Sequence, residues 1–263
     1  MAGQLAGRAA AAGRPFQCGQ PQVMNVLLIS LLALAGLVAA QGQRVIISRL
    51  ASAGDAGCPA CRAQLPPGRL SWRPAGGRCT ACQRPAWPPL LAVEATSALL
   101  LAALAARVHP GLVLAAACWL AFCAVPLAFI DVAVRRLPDL LTGPAWAGTA
   151  LLLLLAAATA GQWGGLLRAV LGGAALAGFY LVLLLVSPSG MGLGDVKAAA
   201  SIGTLLAWAG WRVLLAGSFA GFLLAALYGV ALLVSGRATR KQQIPFGPFM
   251  LAGAFLAVLA WPS

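Results

Sequence analysis

Long apolar runs recur along the whole chain and constrain its fold more than any other feature. A run of about 18–20 apolar residues is long enough to cross the hydrocarbon core of a bilayer as a helix. Only 9% of the 263 residues are charged, whereas a soluble domain carries about 25%. The sequence therefore predicts an all-α polytopic membrane protein with about eight transmembrane helices, rather than a globular domain with one core.

The predicted spans divide the chain into four parts. Residues 1–22 are predicted to be a disordered tail, with Met24 as a second candidate for the initiator, and residues 23–41 form the first transmembrane helix. Residues 42–89 form a polar, cysteine-rich segment, and residues 90–263 form a multi-helix membrane domain. The eight spans are predicted at about 26–40, 90–106, 111–130, 140–160, 166–186, 196–208, 213–234 and 249–259.

The net charge of +13 has a topological explanation that needs no nucleic acid. Loops that face the cytoplasm carry an excess of Lys and Arg. With the N-terminus outside, 13 of the 18 basic residues lie in the inner loops, and the reverse orientation inverts that imbalance. The charge pattern therefore predicts a membrane protein in contact with lipid, whose segment 42–89 is cytoplasmic, and it predicts no nucleic-acid partner.

Four of the seven cysteines form two close pairs in the predicted cytoplasmic segment. They are Cys58 and Cys61, then, after seventeen residues, Cys79 and Cys82. Two such C-x2-C turns can present four thiolates to one tetrahedral zinc ion. The alternative is two disulfides, but thiols stay reduced in the cytoplasm. We therefore predict a small zinc-ribbon-like loop with a structural zinc ion.

Two of the five acidic residues stand at the edges of predicted spans. Asp131 closes the third run, and Asp195 follows the glycines of residues 190–197 (GMGLGDVK). A carboxylate at membrane depth costs roughly 2.5–3.5 kcal/mol, so its presence calls for a function. The only histidine, His109, excludes an HExxH metalloprotease and disfavours a Ser/His/Asp triad. Two carboxylates around one water can hydrolyse a peptide, one as base and the other as acid.

Several motifs together resemble those of the bacterial type IV prepilin peptidases, which are GxGD-type intramembrane aspartic proteases. Residues 192–195 (GLGD) match the GxGD signature, and Ile130-Asp131 with Pro138-Asp139 resembles the first aspartate motif of that family. The paired cysteines, Glu94 and residues 244–248 (IPFGP) also match. The resemblance extends over about residues 25–261.

The resemblance implies an activity, a substrate class and roles for individual residues. It implies cleavage of the leader peptide of prepilin or pseudopilin precursors on the cytoplasmic side, by catalytic Asp131 and Asp195. It also implies N-methylation of the new N-terminus with S-adenosylmethionine in many members of the family. Arg44 stands where the family usually has an asparagine, a departure in the region linked to methylation. The supporting residues are Gly192, Gly194, Lys197, Asp139 and Glu94.

Each acidic or basic residue of the site also has a plainer interpretation. Asp195 can cap a helix after a glycine turn, and Asp139 can do the same after Pro138 or can orient substrate. Lys197 can tune Asp195 or extend to the interface, and Glu94 can make a polar contact within the bundle. For the whole chain, the alternatives are a proton-coupled transporter and a non-catalytic membrane assembly factor.

Overall fold

The computed structural model describes residues 20–52, 88–89, 91–187, 191–236 and 245–260, with the side chains from residue 24 onward. Within these ranges the chain is helical and has no strand. The helices are α1 (Gln20–Ser52), α2 (Ala92–Arg107), α3 (Leu112–Val134), α4 (Asp139–Ala160), α5 (Trp163–Val186), α6 (Leu193–Ala209), α7 (Trp211–Val234) and α8 (Gly247–Ala260). The predicted all-α architecture with eight helices is confirmed for the described residues.

Five of these helices are long and apolar enough to cross a membrane, as expected of a multi-pass membrane protein. They are α1, over Met24–Ala51, and α3, α4, α5 and α7. The other three are shorter, and α8, with 14 residues, is only about 21 Å long at 1.5 Å per residue. The hydrocarbon core is about 30 Å thick. The ends of such short helices can therefore lie below the membrane surface.

The first helix differs most from its predicted bounds. It begins at Gln20, within the predicted tail, and continues to Ser52, within the predicted polar segment. Gln43 explains the extension, because its side chain lies buried in the bundle. Its Nε2 donates to the carbonyl of Phe122 on α3 at 2.9 Å, and it accepts a hydrogen bond from Ser97 on α2 at 2.6 Å. A residue that looks like the end of a span therefore joins three helices.

Helix α6 lies at the centre of the membrane domain and packs most extensively on α5. Its residues from Ile202 to Trp208 are all buried. The close packing depends on glycines, since an added Cβ at Gly203 would lie 2.7 Å from the carbonyl oxygen of Gly172 and 3.0 Å from Cα of Gly173. Small residues let helix backbones approach when lipid supplies no hydrophobic drive between them.

Close packing at glycines also joins α7 to α8. Gly217 and Gly221 of α7 face Gly253 of α8, where an added Cβ would lie 2.6 Å from the carbonyl oxygen of Gly217. It would lie 2.7 Å from Cα of Gly221. These glycines therefore let the backbones of α7 and α8 pack closely.

Candidate active site

Asp131 lies in the last turn of α3 and is buried, with 5% of its surface exposed. The helix ends at Arg135, which adopts the left-handed conformation with φ 54°. The Oδ2 atom of Asp131 accepts a hydrogen bond at 2.9 Å from the backbone N–H of Gly247, the first residue of α8. Asp131 is therefore positioned by a contact that joins two helices distant in the chain.

Asp195 lies in the first turn of α6 and is half-buried. Its Oδ2 accepts a hydrogen bond at 2.9 Å from the backbone N–H of Gly192, and its own N–H donates to the carbonyl of Gly192 at 3.1 Å. Asp195 thus makes the capping contact that the plainer interpretation named. A cap uses one carboxylate oxygen, so this contact does not account for the whole side chain.

The fold brings the two aspartates together. Helices α3 and α6 are in contact, and the carboxylates of Asp131 and Asp195 are close enough to interact electrostatically. Tyr180 of α5, which is buried, is also within electrostatic reach of Asp195. The arrangement places two acids, from the end of one helix and the start of another, in a single site beside an aromatic side chain.

Gly194 makes this meeting possible. An added Cβ at Gly194 would lie 2.6 Å from Cβ and 2.7 Å from the carbonyl oxygen of Leu137, in the loop between α3 and α4. That loop therefore packs directly on the backbone at the start of α6. Gly192 is different, because a Cβ there would meet nothing closer than Asp195 Oδ2 at 3.7 Å. Of the two motif glycines, only the second is required by close packing among the described residues.

Lys197 and Asp139 form an ion pair with each other. The Nζ of Lys197 lies 2.6 Å from Oδ1 of Asp139, and both side chains are exposed. The N-cap position of α4 is Pro138, not Asp139, and Asp139 follows it as an acid in the first turn, where a carboxylate suits the helix dipole. The pair joins the starts of α4 and α6, near the contact between Leu137 and Gly194.

Glu94 makes a polar contact within the bundle, with Arg44 of α1. The Arg44 guanidinium forms an ion pair with the Glu94 carboxylate through Nε and a hydrogen bond to Oε2 at 2.6 Å through Nη2. It also donates to the carbonyl of Pro89 at 3.0 Å. Arg44, which departs from the family pattern, is therefore the partner of Glu94, which matches that pattern.

Beside the aspartates lies a cluster of aromatic side chains, and the sequence analysis did not single out this cluster. The rings of Phe222 and Phe246 have centroids 5.1 Å apart, and Tyr180 lies 5.7 Å from the first and 5.9 Å from the second. Phe246 immediately precedes Gly247. No sequence periodicity identifies this cluster, because its members come from α5, α7 and the residues before α8.

The predicted zinc ligands Cys58, Cys61, Cys79 and Cys82 lie outside the described residues. In the described ranges, no group of three or more His, Cys, Asp or Glu side chains is suited to hold a metal ion. Cys118 and Cys123 of α3 are free thiols. The zinc site therefore remains a prediction from sequence.

The fold and the site define a class: a multi-pass helical membrane protein with two aspartates from different helices in one site. Residues 114–262 match the family model described as the type IV leader peptidase family. The chain belongs to this family. No solved structure matches it.

Several curated proteins are similar over most of the chain. The prepilin leader peptidase/N-methyltransferase of Aeromonas hydrophila is 36% identical over 207 residues, covering 72% of this chain and 64% of that protein. The protein of the same name in Bacillus subtilis is 30% identical over 244 residues, covering 90% and 94%. That of Pseudomonas aeruginosa is 29% identical over 217 residues, covering 78% and 71%. The chain thus spans 64% of the length of the Aeromonas relatives it matches.

Proposed function

We propose that this chain is an aspartic endopeptidase that removes the leader peptide of type IV prepilin-like precursors. The observation that supports the proposal most is the meeting of Asp131 and Asp195 across α3 and α6. Family membership and the names of the relatives supply the reaction class. The proposal assigns Asp131 and Asp195 as the catalytic residues.

The chemistry follows from two neighbouring carboxylates that cannot both ionise readily. A water molecule sits between them. The ionised carboxylate takes a proton from the water as its oxygen attacks the scissile carbonyl, while the protonated carboxylate donates a hydrogen bond to the carbonyl oxygen. The tetrahedral intermediate then breaks at the C–N bond, and a carboxyl proton passes to the leaving amine. One peptide bond and one water give an acid and an amine, without a metal or a covalent intermediate.

The substrate proposal rests on geometry as well as on the relatives' names. A precursor anchored by its own apolar helix diffuses in the plane of the membrane and can lie against the apolar outer faces of the bundle. The junction between its leader and that helix would then reach the starts of α6 and α8. Gly192, which is exposed, lies where a peptide backbone could approach Asp195.

The orientation belongs to the same proposal. The excess of basic residues in all the loops on the side of the membrane where Asp131 and Asp195 lie, segment 42–89 included, supports an active site on the cytoplasmic side of the inner membrane. Lipid surrounds the outer faces of the bundle in this arrangement. Cysteine accessibility labelling at Ser235, which follows α7, tests it, because we expect protection from an impermeant reagent added outside intact cells.

Cleavage by matched aspartate variants tests the peptidase proposal. Purified protein in detergent is mixed with a precursor that has a basic leader and an apolar helix, and the product is identified by mass. We expect Asp131→Asn and Asp195→Asn to abolish cleavage, and Asp139→Asn, a nearby exposed acid, to retain it. Retained cleavage in either of the first two would exclude the acid-pair mechanism.

A structural zinc ion in segment 42–89 is a separate part of the proposal. The donor set supports it, since four thiolates at C-x2-C spacing satisfy a closed tetrahedral site. Metal analysis of the purified chain should find zinc, and Cys58→Ser with Cys79→Ser should lose it. A metal-free protein with Cys58 and Cys79 in disulfides would contradict both the zinc ion and the cytoplasmic location of the segment.

N-methylation with S-adenosylmethionine is proposed from the relatives' names alone. Its test uses the product of the cleavage assay. A product that gains the mass of one methyl group when S-adenosylmethionine is added would support it. A product that stays unmethylated while cleavage proceeds would restrict this chain to the peptidase reaction.

A further inference from the structure

The backbone N–H of Gly247 is a donor that reaches Asp131 from the far end of the chain. The two residues are 116 positions apart, and the hydrogen bond between them is buried. The first N–H groups of a helix have no partner inside that helix. Pro248, the second residue of α8, has no N–H at all. The N–H of Gly247 is therefore the one donor that the first two positions of α8 can offer.

Gly247 also leaves space that no other residue would leave. An added Cβ would lie 2.8 Å from Oδ2 and 3.2 Å from Cγ of Asp131. These distances are shorter than van der Waals contact, so either the carboxylate or the start of α8 would have to move. The φ of Gly247 is not in the left-handed region. Glycine is therefore required here for space and not for backbone conformation.

Packing on both sides fixes the position of this N–H group. Six residues further along α8, Gly253 lies against the backbone of Gly217 and Gly221 of α7. Just before the helix, the ring of Phe246 contacts that of Phe222 in a tilted arrangement, with centroids 5.1 Å apart. The start of α8 therefore cannot shift easily relative to the rest of the bundle.

We propose that Gly247 is a positioning residue for Asp131. Its N–H fixes Oδ2 and its missing side chain admits the carboxylate, so that Oδ1 is the oxygen presented to water and substrate. A charge-assisted hydrogen bond from a backbone N–H is short and directional, and it sets the orientation of a carboxylate. This inference rests on the proposed function, in which Asp131 acts on the attacking water.

The contact itself is tested without any activity measurement, by thermal unfolding of the purified full chain. Gly247→Ala should lower the unfolding midpoint by several degrees in the native background. In a protein that also carries Asp131→Ala it should lower the midpoint by much less, because that substitution removes the atoms that the new Cβ would meet. Gly253→Ala, whose Cβ would meet α7 instead, should lower the unfolding midpoint by the same amount in both backgrounds. Equal losses for Gly247→Ala in the two backgrounds would overturn the inference.

The positioning role is tested by steady-state cleavage of a precursor. Gly247→Ala should lower kcat by about a hundredfold, the effect of misplacing a reacting group by about 1 Å, with KM unchanged. Gly178→Ala is the matched control, since a Cβ there meets nothing within 4 Å, and it should cleave normally.

The outcomes of this assay separate the inference from the proposed function. A Gly247→Ala protein that cleaves at the native rate, or that changes KM alone, would overturn the positioning role and leave the peptidase proposal intact. Cleavage retained in Asp131→Asn would instead overturn the catalytic assignment of Asp131 in the proposed function.

Discussion

The two aspartates are positioned in different ways. Asp195 accepts its hydrogen bond from Gly192, three residues earlier in the same turn, whereas Asp131 accepts its bond from Gly247 on another helix. The first contact forms as soon as α6 begins. The second exists only when α3 and α8 have packed. The comparison teaches that half of this site is encoded locally and the other half depends on the assembled bundle.

The largest loss of cleavage is expected at Gly194, where the two halves of the site meet. A Cβ there would strike Leu137, so Gly194→Ala should separate the α3–α4 loop from α6 and with it Asp131 from Asp195. We expect cleavage to fall by about a hundredfold or more, with a lower unfolding midpoint. Initial rates of precursor cleavage measure it. A fully active Gly194→Ala protein would show that the two halves need not meet there.

Gly192→Ala is the matched change in the local half, and we expect a smaller effect. Its φ of −105° suits any residue, and its N–H remains available to Asp195. The same assay should show unchanged thermal stability and a rate far above that of Gly194→Ala. A loss of stability as large as that of Gly194→Ala would contradict the claim that Asp195 needs only a backbone donor from this position.

The ion pair between Lys197 and Asp139 should affect the site only weakly. Both side chains are exposed, and such pairs are worth about 0–1 kcal/mol, or at most about a fivefold change in rate. Lys197→Met and Asp139→Asn should therefore each reduce cleavage slightly, and the double variant no further. A severe loss in Lys197→Met alone would indicate that Lys197 acts on Asp195 directly.

The pair of Arg44 and Glu94 should leave the chemistry unchanged while lowering stability. It lies largely buried between α1 and α2, and Arg44→Met would leave the Glu94 carboxylate without its charged partner. We expect a loss of about 2 kcal/mol in the free energy of unfolding, partly restored when Glu94→Met is added. Cleavage per folded molecule should stay normal, and a fall in kcat would link this pair to the aspartates.

The sequence predicted the helices well because most of the apolar runs are long and have a single interpretation. It placed the end of α1 too early because Gln43 and Arg44 look like a membrane boundary. Their partners, Ser97 and Glu94, are fifty or more residues away in the chain. Local sequence patterns therefore do not predict these contacts. The same reason explains why Lys197 had two open interpretations, neither of which named Asp139.

The site was predictable as a set of residues and not as a geometry. Asp131 and Asp195 stand out as acids beside apolar runs, and the GxGD resemblance pairs them. Their meeting depends on a loop that packs on Gly194, and the orientation of Asp131 depends on Gly247. Residues 244–248 matched the family pattern, but nothing in the sequence indicated that the N–H of Gly247 would meet an acid.

The most direct test of the central claim compares single and double aspartate variants in one cleavage assay. If Asp131 and Asp195 act as a unit on one water, each single Asn variant should lose about 10³-fold or more, and the double variant should lose no more than either. Losses that multiply in the double variant would show two independent contributions, and substantial cleavage in either single variant would contradict the paired mechanism altogether.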